Sequence, residues 1–540
     1  MFGGVITMAM TFSKKDAPAV LGGAQAFPAG LPFVRPAVPD PDVVAGEVSK
    51  ILRSGVLTNG PYVQELETRV AEYLGVRNCV AVSSCTAGLM LVLRALDLTG
   101  DVVLPSFTFS ATAHAVAWNG LRPAFADIDP ATLTLSPEAV ERGIGSRTST
   151  ILATHTFGTP CDVEALAEAA HHHGLRLVFD AAHAFGSCRR GIKVGGFGDA
   201  EVFSLSVTKV LVAGEGGIIA TNDDSLAERC RIGRDYGNPG DYDCRFVGLN
   251  ARMSELHAAV ALGSLAGLDG RLRRRSELAA LYHEVLSPIP GIGFPAVAEG
   301  DSSVYKDFTI LVDPEDFGLD APQLAAALAA EGIDTRRYYV PPVHTQRAYR
   351  VSGHNGDLPV TDAAAAKVLS LPFWSGLSDD QLGRVAAAVK RIRTHLGTDS
   401  RPAAPHIPVL VNLRPSGEDP RPATPSRDRP AASAAGVEGS PTLAPAHEPD
   451  VVIDLSDDAL MGVRRAATAV AQLSMHLRRV AACVSELAGA VDEEADPAAA
   501  HQLRSAAATL RRILVDDAEA AVSSARAIAD RALDRAERRP

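Results

Sequence analysis

The sequence predicts an α/β protein whose central sheet is mostly parallel. Between residues 79 and 221, short apolar runs alternate with stretches of helical periodicity. The runs that we predict as strands are CVAVSS, DVVLPS, RPAFADI, TSTILATHTFG, LRLVFD, EVFSLS and GGIIATND. Such alternation favours parallel strands covered by helices, with ligands bound at the carboxyl ends of the strands. Four polar residues fall at these ends: Ser83, Ser106, Asp180 and Ser204.

Composition and periodicity divide the chain into segments. Residues 1–39 are rich in Gly and Pro without clear periodicity, so we predict an irregular arm. A large α/β domain over residues 40–268 follows, and then a smaller C-terminal α/β domain over residues 269–396. Residues 397–450 are dense in Pro, Ala, Ser and Arg, which cannot build a core, and we predict a disordered linker there.

Two further regions have helical periodicity. Residues 252–286 predict one long helical region between the two α/β domains. Residues 451–540 are rich in Ala and Arg, and apolar residues from Leu460 to Val491 recur at steps of three, four and seven. A break at DEEADPAAA predicts a helical hairpin that associates with itself or with a partner protein. The alternative is an accessory tail without a role in catalysis.

Composition also limits the classes of function. The 540 residues are 46% hydrophobic and 21% charged, as in ordinary soluble globular proteins. A formal net charge of −12 argues against nucleic-acid binding, which requires a basic face. Seven cysteines without CxxC spacing fit reduced thiols in the cytoplasm better than disulfides. Because no run approaches the ~18 apolar residues of a membrane span, and the N-terminal lysines follow the apolar run there, we expect neither a membrane segment nor a signal peptide.

Two of the predicted strands lead to a basic and an acidic side chain that could act together. EVFSLS leads to Lys209 in the loop FSLSVTKVLVAGEGG, and LRLVFD ends in Asp180, with His183 following closely. On neighbouring strand ends, the amine can form a Schiff base with pyridoxal phosphate while the carboxylate keeps its pyridine nitrogen protonated. Taken singly, such a lysine is usually a solvated loop residue and such an aspartate a helix cap. Their joint occurrence favours a cofactor site.

Two neighbouring stretches would extend this site. SSCTAGLMLVLRAL opens a helix directly after a strand, so that backbone N–H groups, hydroxyls and the helix dipole together suit a phosphate. A simple helix cap is the alternative. Phe107 and Phe109 follow the next strand, where an aromatic ring either stacks on a pyridine ring or belongs to the core.

Neither a metal site nor a dinucleotide loop is predicted. Residues 171–173 are three consecutive histidines, which point in different directions around a helix. His155, Cys161 and Cys188 also lack the spacing of metal ligands. The glycines of GEGG follow Lys209 and do not open a βαβ unit, which excludes a Rossmann fingerprint.

Eight separated motifs carry a family resemblance. In chain order they are GPYVQELETRVAEYLG, SSCTAGL, LPSFTFSATAHAV, FDAAHAFGS, FSLSVTKVLVAGEGG, GLNARMSELHAAVALGSL, TRRYYVPPVHTQRAY and LSLPFWSGLSDDQLGRV. They resemble the motifs of the pyridoxal-phosphate-dependent nucleotide-sugar aminotransferases, the DegT/StrS family, over residues 31–396. The resemblance implies a fold-type-I transferase that forms a homodimer with shared active sites.

The resemblance also assigns expected roles near the reacting atoms. Lys209 would bind the cofactor covalently and move protons, and Asp180 would pair with the pyridine nitrogen. His183 takes the position where the family has His or Gln near the ring oxygen. Related dehydratases carry His in place of the lysine, so Lys209 favours amino transfer, with glutamate or glutamine as the donor.

The remaining cofactor contacts are implied in the same way. The residues expected at the phosphate are Thr86, Ala87 and Ser204. Phe109 would stack on the pyridine ring. Asn250 lies in the GLNARM loop, which in the family reaches the phosphate of the neighbouring subunit, so a monomer would have an incomplete site.

The acceptor is less closely specified by the sequence. Relatives acting on thymidine-diphosphate keto sugars read FSxHATK, whereas this chain has Ser206 and Val207 in place of His and Ala. A nucleotide-linked keto sugar is the expected acceptor, and the alternatives are a keto-cyclitol or a regulatory scaffold that uses the C-terminal tail. The side chains of Tyr338, His344 and Tyr349 would either face the substrate or support the PPVH turn.

Overall fold

The computed structural model describes residues 17–350 and 357–396. The predicted linker (397–450) and helical hairpin (451–540) lie outside these residues. Within the described part, no helix is both long enough and apolar enough to cross a bilayer.

The helices and strands follow the alternation of the sequence. The α-helices are α1 (Pro41–Ser54), α2 (Pro61–Leu74), α3 (Cys85–Ala95), α4 (Ser110–Trp118), α5 (Pro137–Gly143), α6 (Val163–His173), α7 (Asp224–Gly233), α8 (Glu255–Ala266), α9 (Leu268–Leu286), α10 (Pro314–Phe317), α11 (Ala321–Ala330), α12 (Pro359–Lys367) and α13 (Asp379–Leu396). The strands are β1 (Asn78–Val82), β2 (Asp101–Pro105), β3 (Arg122–Ala126), β4 (Thr148–Thr154), β5 (Arg176–Asp180), β6 (Cys188–Arg189), β7 (Ile192–Lys193), β8 (Ala200–Ser204), β9 (Gly217–Thr221), β10 (Ile292–Gly293), β11 (Phe308–Val312) and β12 (Val368–Leu371). Short 3-10 turns lie at Ala19–Leu21, Thr156–Gly158 and Val343–Thr345.

The large domain is built on a sheet of the order β1-β9-β8-β5-β4-β2-β3. Each of its strands coincides with one of the runs predicted as strands, and only β9 runs antiparallel to its neighbours. Helices α3, α4 and α7 pack on one face, and α2, α5, α6 and α8 pack on the other. Because both faces are covered, the strands are continuously apolar, as parallel sheets require. The predicted fold class is confirmed.

Most of the helical region predicted over residues 252–286 is helical. Two helices, α8 and α9, occupy it, and they are separated at Gly267, whose backbone (φ −103°, ψ 13°) leaves the helical region. Glycine is a poor helix former, and apolar periodicity on both sides of it conceals the break. Helix α8 begins only after Ser254, whose hydroxyl accepts a hydrogen bond from the N–H of Leu256 at 3.2 Å.

The small domain packs α9, α11 and α13 against the antiparallel sheet β10-β11-β12. Residues 17–39 of the predicted arm are irregular apart from one 3-10 turn, but Phe27 and Leu31 are buried in this same core. The buried Glu331 carboxylate accepts hydrogen bonds at 2.9 Å from the backbone N–H groups of Ala19 and Ala26. The N-terminal arm therefore completes a core formed mainly by the C-terminal part of the described chain.

Candidate active site

A cavity of about 390 Å³ lies at the carboxyl ends of β1, β2, β4, β5 and β8. This volume lies within the ~300–1,000 Å³ typical of small-molecule sites. Loops after these strands supply most of its lining, and the small domain adds Lys306, Tyr338 and Tyr339. The position is the one expected for a ligand of a mostly parallel sheet.

Asp180 ends β5 and is only 4% exposed. Its Oδ2 accepts a hydrogen bond from the Thr112 hydroxyl at 2.7 Å, and its Oδ1 accepts one from the Ala182 N–H at 3.1 Å. Burial raises the pKa of this carboxyl, although both hydrogen bonds and the charge of Lys209 act against that rise. A buried carboxylate held in this way is stabilised by a cationic partner, such as the protonated nitrogen of a pyridine ring.

Lys209 lies in the turn after β8, where its backbone N–H donates to the carbonyl of Ser206 at 3.0 Å. Its side chain lines the same cavity as Asp180. Burial, helped by the charge of Lys306, lowers the pKa of the Lys209 amine to about 8. A larger fraction of this amine is therefore neutral near pH 7 than for a solvated lysine, and the neutral form is the nucleophile.

His183, which lies between Asp180 and Lys209 in the sequence, also lines the cavity. Burial, followed by the charges of Lys209 and Lys306, lowers its pKa well below the usual value, so the imidazole is neutral. Its buried Nδ1 has no hydrogen-bond partner within the described residues. Because buried polar atoms in folded proteins are almost always paired, this nitrogen fits a polar group of a bound ring.

The start of helix α3 forms a second polar end of the cavity, where Thr86 and Ser204 both line it. The first N–H groups of a helix lack intrahelical partners and attract anions. The side chain of Ser84 caps α3 and accepts the N–H of Ala87 at 3.1 Å, so Ala87 is engaged in the cap and its side chain does not line the cavity. A Cβ at Gly217 would lie 2.6 Å from the backbone nitrogen of Cys85, so this close approach of β9 to α3 requires glycine.

The structure brings most of the predicted site residues together. Those that line the cavity are Lys209, Asp180, His183, Thr86, Phe109, Ser204 and Tyr338. Phe109 lies at its rim and is 60% exposed. Together the amine, the buried acid, the unpaired imidazole nitrogen and the helix start fit the reactive, basic and phosphate ends of pyridoxal phosphate.

Besides Ala87, three predicted residues do not line the cavity. Asn250 is exposed and lies opposite Asp235 in an isolated antiparallel bridge. The Nδ1 atom of His344 lies 2.6 Å from the Ser106 hydroxyl, and the Tyr349 hydroxyl lies 2.5 Å from a ring nitrogen of His114. The contacts of His344 and Tyr349 thus tie the PPVH turn to the large domain, in agreement with the turn-support alternative.

Sequence reasoning missed several residues of the site. Thr112 lies on α4 within the quoted SATAHAV stretch, and helical spacing from Phe109 could have indicated it. Lys306 comes from the small domain and carries no local signal, whereas Tyr339 adjoins Tyr338 in the quoted motif TRRYYVPPVHTQRAY. Among the residues that the structure describes, no three His, Cys, Asp or Glu side chains are grouped so as to hold a metal ion.

Comparison with known proteins agrees with this geometry. The model of the DegT/DnrJ/EryC1/StrS aminotransferase family matches residues 42–390. The spore coat polysaccharide biosynthesis protein SpsC of Bacillus subtilis is 34% identical over 379 residues, which are 67% of this chain and 97% of that protein. The dTDP-3-amino-3,4,6-trideoxy-alpha-D-glucose transaminase of Streptomyces venezuelae is 38% identical over 347 residues, covering 64% of this chain and 90% of the relative.

A solved structure extends the comparison to three dimensions. The crystal structure of DesI in the presence of its TDP-sugar product matches with a TM-score of 0.67 and 39% identity, and covers 70% of this chain and 97% of DesI. The chain belongs to the DegT/DnrJ/EryC1/StrS aminotransferase family and is a pyridoxal-phosphate-dependent aminotransferase.

Proposed function

We propose that this protein transfers an amino group from glutamate or glutamine to a nucleotide-linked keto sugar, as a step in amino-sugar biosynthesis. The observation that carries the proposal is the meeting of Lys209 and Asp180 in one buried cavity at the sheet edge. The relatives add support for the acceptor, because one is named as a dTDP-amino-sugar transaminase and another was solved with a TDP-sugar product.

The residues of the cavity would have distinct roles in amino transfer. Bound pyridoxal phosphate supplies an electron sink for the charge that develops at the substrate carbon. Lys209 Nζ would take the proton from that carbon and deliver it to the cofactor carbon C4′, which its lowered pKa favours near neutral pH. Asp180, held by Thr112, pairs with the ring nitrogen. Tyr338 and Tyr339 form a wall that limits the access of water.

A two-stage absorbance assay tests this proposal. Glutamate or glutamine added to the purified holoenzyme should bleach its visible band, and a suitable keto substrate should restore it. A nucleotide-linked keto sugar is expected to restore the band at least about tenfold faster than a keto-inositol at equal concentration, as expected when ~1.4 kcal/mol of binding to the carrier favours it. Preference for the keto-inositol would instead establish the cyclitol alternative, and the absence of any bleaching would refute amino transfer.

We also propose a homodimer with shared active sites. Asn250 belongs to an exposed loop that includes Tyr242 (93% exposed) and Val247 (77% exposed), and such exposed large side chains are typical of contact surfaces. If Asn250 completes the partner's site, Lys209→Ala and Asn250→Ala proteins should each be inactive alone. Mixed after reversible dissociation, they should regain about a quarter of wild-type activity, because half of the random dimers carry one intact site.

The controls for this mixing experiment are direct. Each variant mixed with itself should regain no activity, and sedimentation should give a dimer for both. A fully active Asn250→Ala protein, or a wild-type monomer that retains full activity, would contradict shared sites.

We infer that the protein works in a reducing compartment such as the cytoplasm. The cysteines within the described residues are free thiols, and most of them are buried. Free buried cysteines behave as small apolar side chains and are typical of proteins made under reducing conditions.

A further inference from the structure

Lys306 places a second amine in the cavity. It lies just before β11, its side chain is 5% exposed, and its Nζ lies 2.8 Å from Asp307 Oδ1. The same Nζ lies 5.6 Å from the ring centroid of Tyr338, which also lines the cavity. Lysines are almost never so buried unless they are paired, so this one is held in place by specific contacts.

The backbone around Lys306 is fixed as well. Its N–H donates to the carbonyl of Phe157 at 2.8 Å, and its own carbonyl accepts from Arg275 Nη2 at 3.0 Å. The guanidinium of Arg275 also donates from Nε to the carbonyl of Val304 at 2.9 Å. Arg275 is itself buried. The Lys306 side chain therefore starts from an anchored point and is not a mobile surface chain.

The other charged side chains that line the cavity indicate what Lys306 can bind. Among the described lining residues, the Lys and Arg cations are Lys209 and Lys306, and the carboxylates are those of Asp180 and Glu215. Lys209 and Asp180 are engaged by the cofactor in the proposed function. Asp307 takes one of the three N–H donors of the Lys306 ammonium, which leaves donors for an anion bound in the cavity.

We propose that Lys306 binds the α-carboxylate of the amino donor. This inference rests on the proposed amino transfer and deepens it. An α-amino acid carries this carboxylate on the same carbon from which Lys209 removes the proton, so a cation that shares the cavity with Lys209 meets it. Among neighbouring charges, Lys306 has the largest influence on the pKa of Lys209, which supports their closeness. When a keto sugar occupies the same place, the donors of Lys306 meet sugar hydroxyls.

Three amino compounds separate this role from others. L-glutamate has both carboxylates, L-glutamine lacks the distal one, and the α-amide of glutamate lacks the α-carboxylate. In the wild-type holoenzyme, the α-amide should need an at least about tenfold higher concentration than glutamate to half-saturate the bleaching of the visible band, as expected for the loss of a charge-assisted hydrogen bond. In Lys306→Met, the half-saturation concentrations of glutamate and glutamine should rise by that factor, while that of the α-amide should change less than about threefold.

An equilibrium measurement removes turnover from the test. 2-Methylglutamate has no hydrogen on its α-carbon, so its effect on the holoenzyme spectrum reports binding alone. Its half-saturation concentration should rise about tenfold or more in Lys306→Met and recover in Lys306→Arg, which keeps the cation. The double variant Lys306→Met/Asp307→Asn, which leaves no unpaired buried carboxylate, should show the same weakening.

A lysine elsewhere provides the matched control. Lys193→Met removes an amine that donates to the carbonyl of Tyr73 outside the cavity, and it should leave all of these values unchanged. An equal rise in the half-saturation concentrations of glutamate and its α-amide in Lys306→Met would overturn the inference. An effect confined to compounds with the distal carboxylate, or to the keto sugar, would also overturn it. A wild-type spectrum that responds to no donor would overturn the proposed function, and this inference with it.

Discussion

Replacing Lys209 with alanine is expected to remove the visible absorbance of the holoenzyme and to reduce turnover by at least about 10³-fold. In the proposed function Lys209, which lines the cavity, both bonds the cofactor and acts as the base at the substrate carbon, so one substitution would remove both functions. The absorbance spectrum of the dialysed variant and its rate with glutamate measure the two effects. Lys193→Ala is the matched control and should keep the wild-type spectrum and rate.

The pH dependence of cofactor uptake gives a second measurement on the same residue. Burial lowers the pKa of Lys209 to about 8, so the neutral, nucleophilic amine increases as the pH rises through that value. The rate at which the apo-protein acquires its visible band should therefore increase from pH 6 through pH 8, where about half of the amine is neutral, and level off about one pH unit above that. A band retained by Lys209→Ala, or uptake that does not depend on pH, would contradict the assignment.

Asp180→Asn is expected to bind the cofactor and to lose activity by about 10²- to 10⁴-fold, the range typical of acid and base groups. Asparagine keeps the size of the side chain and can still accept the hydrogen bond of Thr112, but it does not carry the charge that keeps the ring nitrogen protonated. Equilibrium dialysis of the cofactor, compared with the turnover number, separates binding from chemistry. A fully active Asn variant would refute the pairing with the ring nitrogen.

Thr112→Val is a milder test of the role of the Asp180 charge. It removes one of the two hydrogen bonds that oppose the rise in the Asp180 pKa, and it keeps the carboxylate. Activity should fall less than in Asp180→Asn, by about tenfold, as expected for one hydrogen bond to a charged group. The acidic limb of the pH–rate profile should move to higher pH, because Asp180 protonates more easily without Thr112. An unchanged profile would show that the hydroxyl does not position the charge of Asp180.

The strands could be predicted because both sides of the sheet are covered. A strand buried on both faces, such as β5 or β8, appears in the sequence as a short continuous apolar run. Asp180 ends β5 and Lys209 lies in the turn after β8, so their places at the carboxyl ends of the strands could be derived from local sequence alone. The break at Gly267 was missed because apolar periodicity continues on both sides of it.

The contributions of the small domain could not be derived in this way. Lys306 reaches the cavity only because the chain returns to it about a hundred residues after Lys209, and no local pattern encodes that return. The sequence left His344 open between facing the substrate and supporting the PPVH turn, because its partner Ser106 is distant in sequence. In the proposed homodimer Asn250 would contact a second subunit, and a single chain cannot show such a contact.

The packing of the N-terminal arm against the small domain also affects when the chain can fold during synthesis and which truncations it tolerates. Phe27 and Leu31 pack against residues that the ribosome adds some three hundred positions later. The core of the small domain can therefore form only after nearly all of the catalytic unit (residues 17–396) has emerged. In the finished molecule Arg391, on the last helix of that unit, donates to the carbonyl of Ala24 at 3.3 Å. The N-terminal arm and helix α13 thus lie side by side, and trimming the amino terminus beyond residue 26 would loosen the packing of α13.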